Sequence, residues 1–126
     1  MADSSPRKIL IVDDEQEVLV YLSNILKRAN YEVISTPRGK EAVELAINRR
    51  PDLIILDIVM PDMGGSEVAA LLVGNPTTAN IPILFLTGIL TKQEEYSVRK
   101  FDRNYVMAKP VTGGELLEMV GKIIPS

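Results

Sequence analysis

The chain has 126 residues, 46% hydrophobic and 25% charged, with a net charge of −3, which suits one globular unit around one core. That charge disfavours broad attraction to nucleic acid or an anionic membrane, and no apolar run reaches the roughly 20 residues that cross a bilayer. Cysteine and histidine are both absent, so any chemistry must run on carboxylates, hydroxyls, lysine and backbone.

The first seven residues are polar and carry no secretory-type apolar segment. They read as a flexible lead-in to one domain over residues 8–125, with the cytoplasm as the expected location. Lys8-Ile9-Leu10-Ile11-Val12 is an uninterrupted apolar run ending in Asp13-Asp14-Glu15, as expected of a central strand with an acidic end. Val18, Tyr21, Leu22, Ile25, Leu26 and Ala29 then recur at three- and four-residue spacing, which predicts a helix from Glu15 to Asn30. Asp14 or Glu15 would start it, where the helix dipole favours a negative charge. Tyr31 to Thr36 alternates loosely before Pro37 and suits a half-exposed edge strand. Gly39 to Arg50 is a second amphipathic helix, closed by Pro51.

Leu53-Ile54-Ile55-Leu56-Asp57 reads as a strand buried on both faces. A buried strand ending in a carboxylate needs a reason, because an unpaired buried charge is costly. Gly64-Gly65 follows, with Ser66 placed to cap a third helix that Gly74-Asn75-Pro76 stops. Pro82 to Leu86 is a fourth strand, ending in Thr87-Gly88. Thr91 to Lys100 is the most weakly patterned helix. Tyr105 to Ala108 is a fifth strand ending in Lys109-Pro110, and Thr112 caps a last helix.

Strand followed by helix, five times over, predicts an α/β fold: a doubly wound, five-stranded parallel sheet in the flavodoxin-like order 2-1-3-4-5. Right-handed crossovers then bring Asp13, Asp14, Asp57, Thr87 and Lys109 to one edge, with the three acids flanking the switch point between strands 1 and 3. Crowded carboxylates raise one another's pKa unless a cation intervenes, and an all-oxygen set selects a hard ion, Mg²⁺ first. A metal, a lysine and a hydroxyl around one carboxylate make a site able to hold a phosphoryl group on it, with Asp57 as nucleophile.

These residues carry a family resemblance. Ile11-Val12-Asp13-Asp14-Glu15, Leu56-Asp57-Ile58-Val59-Met60-Pro61 with Gly65, Leu86-Thr87-Gly88 and Lys109-Pro110 stand in the order of the receiver domains of two-component response regulators, which the chain resembles over nearly its whole length. The resemblance implies that Asp57 accepts a phosphoryl group from a sensor histidine kinase or a histidine phosphotransfer protein. It implies Mg²⁺ on Asp14, Asp57 and the Val59 carbonyl, with Asp13 acting through water. Thr87 would hydrogen-bond the phosphoryl oxygens and Lys109 would pair with them. The peptide before Pro110 would be cis. A shift of Thr87 would switch the surface of the fourth helix, fifth strand and fifth helix toward a downstream protein target, in a monomer or a weak phosphorylation-dependent dimer.

Two positions depart from the family pattern. The switch aromatic is replaced by Val106, and the neighbouring Tyr105 should face the opposite way unless a bulge intervenes. The Gly-Ala usual before the fifth strand is replaced by Phe101-Asp102-Arg103-Asn104. By the same resemblance Val59 and Ile89 occupy family positions that influence attack by water on the phosphoryl group, and as both are apolar here the resemblance implies a long-lived phospho-aspartate.

Taken singly, each residue has a plainer reading. Asp13-Asp14 would be a helix start, Asp57 a structural partner of Lys109, Thr87 a strand-end hydroxyl and Lys109 a surface lysine. Gly64-Gly65 is turn geometry, since no P-loop lysine and serine follow. Tyr21 and Tyr96 acquire no role. Two other functions compete with the signalling switch. A phosphate-independent interaction module is kept open by Val106. A Mg²⁺-dependent phosphohydrolase would want a second acid two residues after Asp57, where Val59 stands.

Overall fold

The computed structural model describes residues 6–88 and 104–125. In chain order the elements are β1 (Lys8–Val12), α1 (Gln16–Arg28), β2 (Glu32–Thr36), α2 (Gly39–Arg49), β3 (Leu53–Asp57), α3 (Gly65–Val73), β4 (Ile83–Thr87), β5 (Asn104–Ala108) and a C-terminal helix, α4 (Gly113–Ile123). The helix expected over Thr91 to Lys100 lies outside the described residues, as do Ile89 and Tyr96. The strands form one parallel sheet in the order β2-β1-β3-β4-β5, as the pattern of the sequence requires.

Strand alternation divides the core into two layers. Leu10, Val12, Ile54, Leu56, Ile83 and Phe85 face α2 and α3, where Ala42, Ala46, Val68 and Leu72 meet them. Ile9, Ile11, Leu53, Ile55, Leu84 and Leu86 face α1 and α4 through Leu19, Leu22, Leu26, Leu116 and Val120. β3 is buried along its whole length, consistent with a central strand covered on both sides. Each such Leu or Ile contributes about 2 kcal/mol by leaving water.

The β4–β5 register runs unbroken from Ile83–Asn104 to Thr87–Ala108, so no bulge rescues Tyr105. Val106 packs toward the α2–α3 layer, and Tyr105 pairs with Leu84, whose side chain belongs to the other.

Helix ends agree with the sequence reading in part. Thr112 caps α4 in a full capping box, accepting from the Glu115 amide at 3.1 Å while the Glu115 carboxylate accepts from the Thr112 amide at 3.2 Å. α2 ends at Arg50, in the left-handed region at φ 47°, just before Pro51. Ser66 does not cap α3; the cap is Gly64, and Ser66 already lies within the first turn. α1 is preceded by Glu15, whose side chain makes no cap bond and is used elsewhere.

Gly65 is required by contact. A Cβ there would fall on the carbonyl oxygen of Asp57 and within 2.8 Å of the Ile58 Cα, both backbone atoms. The close approach lets the Gly65 amide donate to the Ile58 carbonyl at 2.8 Å and seats the start of α3 against the end of β3. Gly65→Ala is therefore expected to lower the unfolding free energy by about 2 kcal/mol, as overpacking of a filled site does. Gly121→Ala, where the new methyl meets nothing within 4 Å, is expected to be stabilising by about 0.5–1 kcal/mol. Urea unfolding of both variants checks the pair.

Candidate functional site

Period-two alternation explains why three charged residues converge. Asp57 continues the face of β3 that carries Leu53 and Ile55, and Asp13 and Lys109 continue the same face beyond β1 and β5. All three emerge on the α1 side at the C-terminal edge of the sheet. Asp14 follows at the surface, and Asp13, Asp14 and Asp57 place one carboxylate oxygen each within 4.8 Å of one another. Asp13 and Asp57 are buried, whereas Asp14 is exposed.

Lys109 reaches into this group. Its ammonium lies 2.8 Å from Asp13 Oδ2, 3.7 Å from Asp57 Oδ2 and 3.4 Å from Glu15 Oε1. Asp57 Oδ1 accepts from the Val59 amide at 3.3 Å, and Asp13 Oδ1 accepts from the Glu15 amide at 2.9 Å. Thr87 is buried at the end of β4, and its carbonyl accepts from the Lys109 amide at 2.7 Å. The Lys109–Pro110 peptide is cis. Asp14, Glu15, Asp57, Val59, Thr87, Gly88 and Lys109 line an open crevice of about 580 Å³. Every predicted site residue is thus at one edge, with Val59 66% exposed beside it.

The charges are unbalanced in favour of the acids. Burial pushes the Asp57 carboxyl up to about 6 and Asp13 adds to the rise, while Lys109 and the Val59 amide pull the other way. Burial lowers the affinity of Lys109 for its proton, but its hydrogen bond to Asp13 and the nearby acids outweigh that and hold its pKa above the ordinary value. Asp13 Oδ2 is buried and, among the described residues, has the Lys109 ammonium at 2.8 Å as its charged neighbour. Three carboxylate oxygen donors in reach of one another fit a hard divalent cation.

The sequence places Glu15 at the acidic end of strand 1 and at a helix start but assigns it no role in the site, yet it is a third acidic partner of Lys109. Its position directly after Asp13-Asp14 was the available signal. Asp62 carried no signal. Its carboxylate accepts from the Gly39 and Lys40 amides at 3.2 and 3.3 Å, closing the N-terminus of α2 with a residue from the loop after β3. Gly39 lies close against Met63 of the same loop, where an added Cβ would come to 3.0 Å. The loop that presents Val59 is therefore tied down at both ends.

A five-stranded parallel sheet in this order, with an acidic crevice at its C-terminal edge, defines a doubly wound flavodoxin-like domain. The sequence matches the response regulator receiver domain family over residues 9–121. It is 30% identical over 115 residues to the polar-differentiation response regulator DivK of Brucella anthropi, covering 91% of this chain and 94% of that protein. The fold is similar to that of the Vibrio cholerae chemotaxis protein CheY4, with a TM-score of 0.89, 28% identity and coverage of 94% and 99% of the two chains. A CheY-like receiver domain protein from Methanospirillum hungatei superposes with a TM-score of 0.86 at 27% identity, covering 94% of this chain and 93% of that one. The chain belongs to the response regulator receiver domain family, the signalling modules of two-component systems. Among the described residues no helix is long and apolar enough to cross a membrane.

The Asp62 cap has a pH signature. The Gly39 amide, followed by that of Lys40, holds the Asp62 carboxyl below its usual range. Its contribution to stability is therefore full above the unfolded-state carboxylate pKa and is lost as the pH falls through the lower folded value. Asp62→Asn is expected to be less stable than wild type at neutral pH, with the difference closing in acid. Urea unfolding at the two pH values measures it.

Proposed function

We propose that this chain is a phospho-accepting receiver domain, one unit over residues 8–125, in which Asp57 takes a phosphoryl group from a histidine of a sensor kinase or phosphotransfer protein. The observation that carries the reading is the convergence of Asp13, Asp14 and Asp57 within 4.8 Å, with the Lys109 ammonium 3.7 Å from Asp57. A carboxylate oxygen of Asp57 attacks phosphorus in line, the phosphorus–nitrogen bond of the donor breaks, and the imidazole leaves. Lys109 holds the phosphoryl oxygens as a point charge and Thr87 donates to them. Asp14, Asp57 and the Val59 carbonyl would hold Mg²⁺, with Asp13 acting through water. The ion supplies charge neutralisation for the transferring group.

The likeness to DivK and CheY proteins supports a signalling role, which we place in the cytoplasm. In this reading the acyl phosphate draws Thr87 inward and switches the face that includes β5 and α4 toward a downstream protein. The net charge of −3 argues against direct nucleic-acid binding. Val59, two residues after Asp57, cannot protonate a leaving group, which speaks against turnover of phosphate esters.

Treatment with acetyl phosphate and Mg²⁺ is expected to add one phosphoryl group, seen by intact mass, and Asp57→Asn should take none. An unmodified wild type that still binds Mg²⁺ would favour the phosphate-independent module instead. A second expectation concerns lifetime. Val59 at the rim of the crevice offers no hydrogen bond to orient an attacking water, so the phospho-aspartate should persist for minutes or longer after the donor is removed. Decay within seconds, followed by mass spectrometry, would overturn that expectation.

A further inference from the structure

We propose that Tyr21 is a positioning residue for Lys109: its hydroxyl latches the segment carrying the lysine onto α1. The inference rests on Lys109 serving the phosphoryl group, as argued above. The Tyr21 hydroxyl donates to the Val111 carbonyl at 3.0 Å, joining residues 90 positions apart in the chain. Val111 stands two residues after Lys109, at the entry to α4.

Three observations make this more than a surface contact. First, Tyr21 is 48% exposed, so packing alone does not hold its ring, and the hydrogen bond selects the rotamer. Second, the segment spans a cavity of about 210 Å³ lined by Val18, Tyr21, Leu22, Leu86 and Val111 as well as Lys109 itself. The Val111 side chain is buried in the layer between the sheet and α1 and α4, and the polar anchors fix the backbone that carries Lys109 beside it. Third, those anchors bracket the lysine. On one side the Lys109 amide donates to the Thr87 carbonyl at 2.7 Å, and on the other Tyr21 holds Val111.

One rigid element sets the distances. α1 begins immediately after Asp13 and Glu15, which attract the ammonium, and Tyr21 follows Glu15 by six residues, about 9 Å of helical rise. The end of β1 and the start of α1 thereby place the acids at one end of the lysine's reach, and Tyr21 in α1 holds the lysine's backbone at the other. Without the hydroxyl, the backbone at Val111 keeps its carbonyl satisfied by water and the segment can lift from α1.

Tyr21→Phe keeps the ring and removes the latch. Amide hydrogen exchange at Lys109 should quicken by about fivefold, the ratio that one ordinary hydrogen bond controls, while the Glu32 amide of the far edge strand stays within about twofold of wild type. The rate of phosphorylation by acetyl phosphate at saturating Mg²⁺ should fall by about the same factor, with Mg²⁺ affinity unchanged, because Lys109 does not ligate the ion. Unaltered exchange at Lys109 overturns the latch, as does equal acceleration at Lys109 and Glu32, which marks general loosening. A quickened Lys109 amide with an unchanged phosphorylation rate, or a rate that falls together with Mg²⁺ affinity, overturns the positioning role. A wild type that accepts no phosphoryl group refutes the proposed function, and the exchange measurement then still decides the latch.

Discussion

Three carboxylates share a space in which their oxygens lie within 4.8 Å, and the backbone at the ends of two parallel strands holds them there. Like charges at that separation, partly removed from water, repel strongly. The repulsion is visible in Asp57, which burial first and Asp13 second push up to about 6. Among the described residues Lys109 is the cation in their midst, and it divides its charge among Asp13, Glu15 and Asp57. Three carboxylate oxygens this close, with one ammonium shared among their neighbours, form a donor set that fits a hard divalent cation, whose charge would offset the excess of acids.

The scaffold withstands that repulsion through features that lie away from the charges. Two apolar layers, one on each face of the sheet, commit the strands to one register, and a slip of one residue would send Asp57 to the opposite face. Gly65 lets α3 begin against the carbonyl of Asp57, where any side chain would collide. Asp62 and Gly39 bind the loop after β3 to the start of α2. The loop that carries Val59 is therefore tied by the Asp62 carboxylate and by the close seat of Gly65, and the Val59 amide holds the Asp57 carboxylate.

β5 connects the site to the rest of the molecule. Its register with β4 is continuous, so Lys109 must share the face of Met107, and Val106 must share that of Phe85. The aromatic at position 105 consequently points to the layer shared with α1 and α4, and the slot on the other face holds a valine. Any response of this surface to phosphorylation must therefore use a smaller side chain than the family pattern provides.

The sequence by itself determined the strands, their order and the acids at their ends. Uninterrupted runs such as Leu53 to Leu56, bounded by prolines, read as buried strands, and Thr112 marks the start of the last helix. Right-handed crossover then placed Asp13, Asp57 and Lys109 on one edge without coordinates. Only the tertiary structure decided what those residues touch. Glu15 turned from helix start to ion-pair partner, Asp62 caps a helix 23 residues earlier in the chain, and Tyr21 meets Val111 across 90 residues. Ser66 fails as a cap for the same reason in reverse, because the close seat of Gly65 on Asp57 starts α3 two residues earlier. Periodicity reports which face a residue occupies. The partner on that face is set by how two distant segments meet in three dimensions, and no local pattern encodes it.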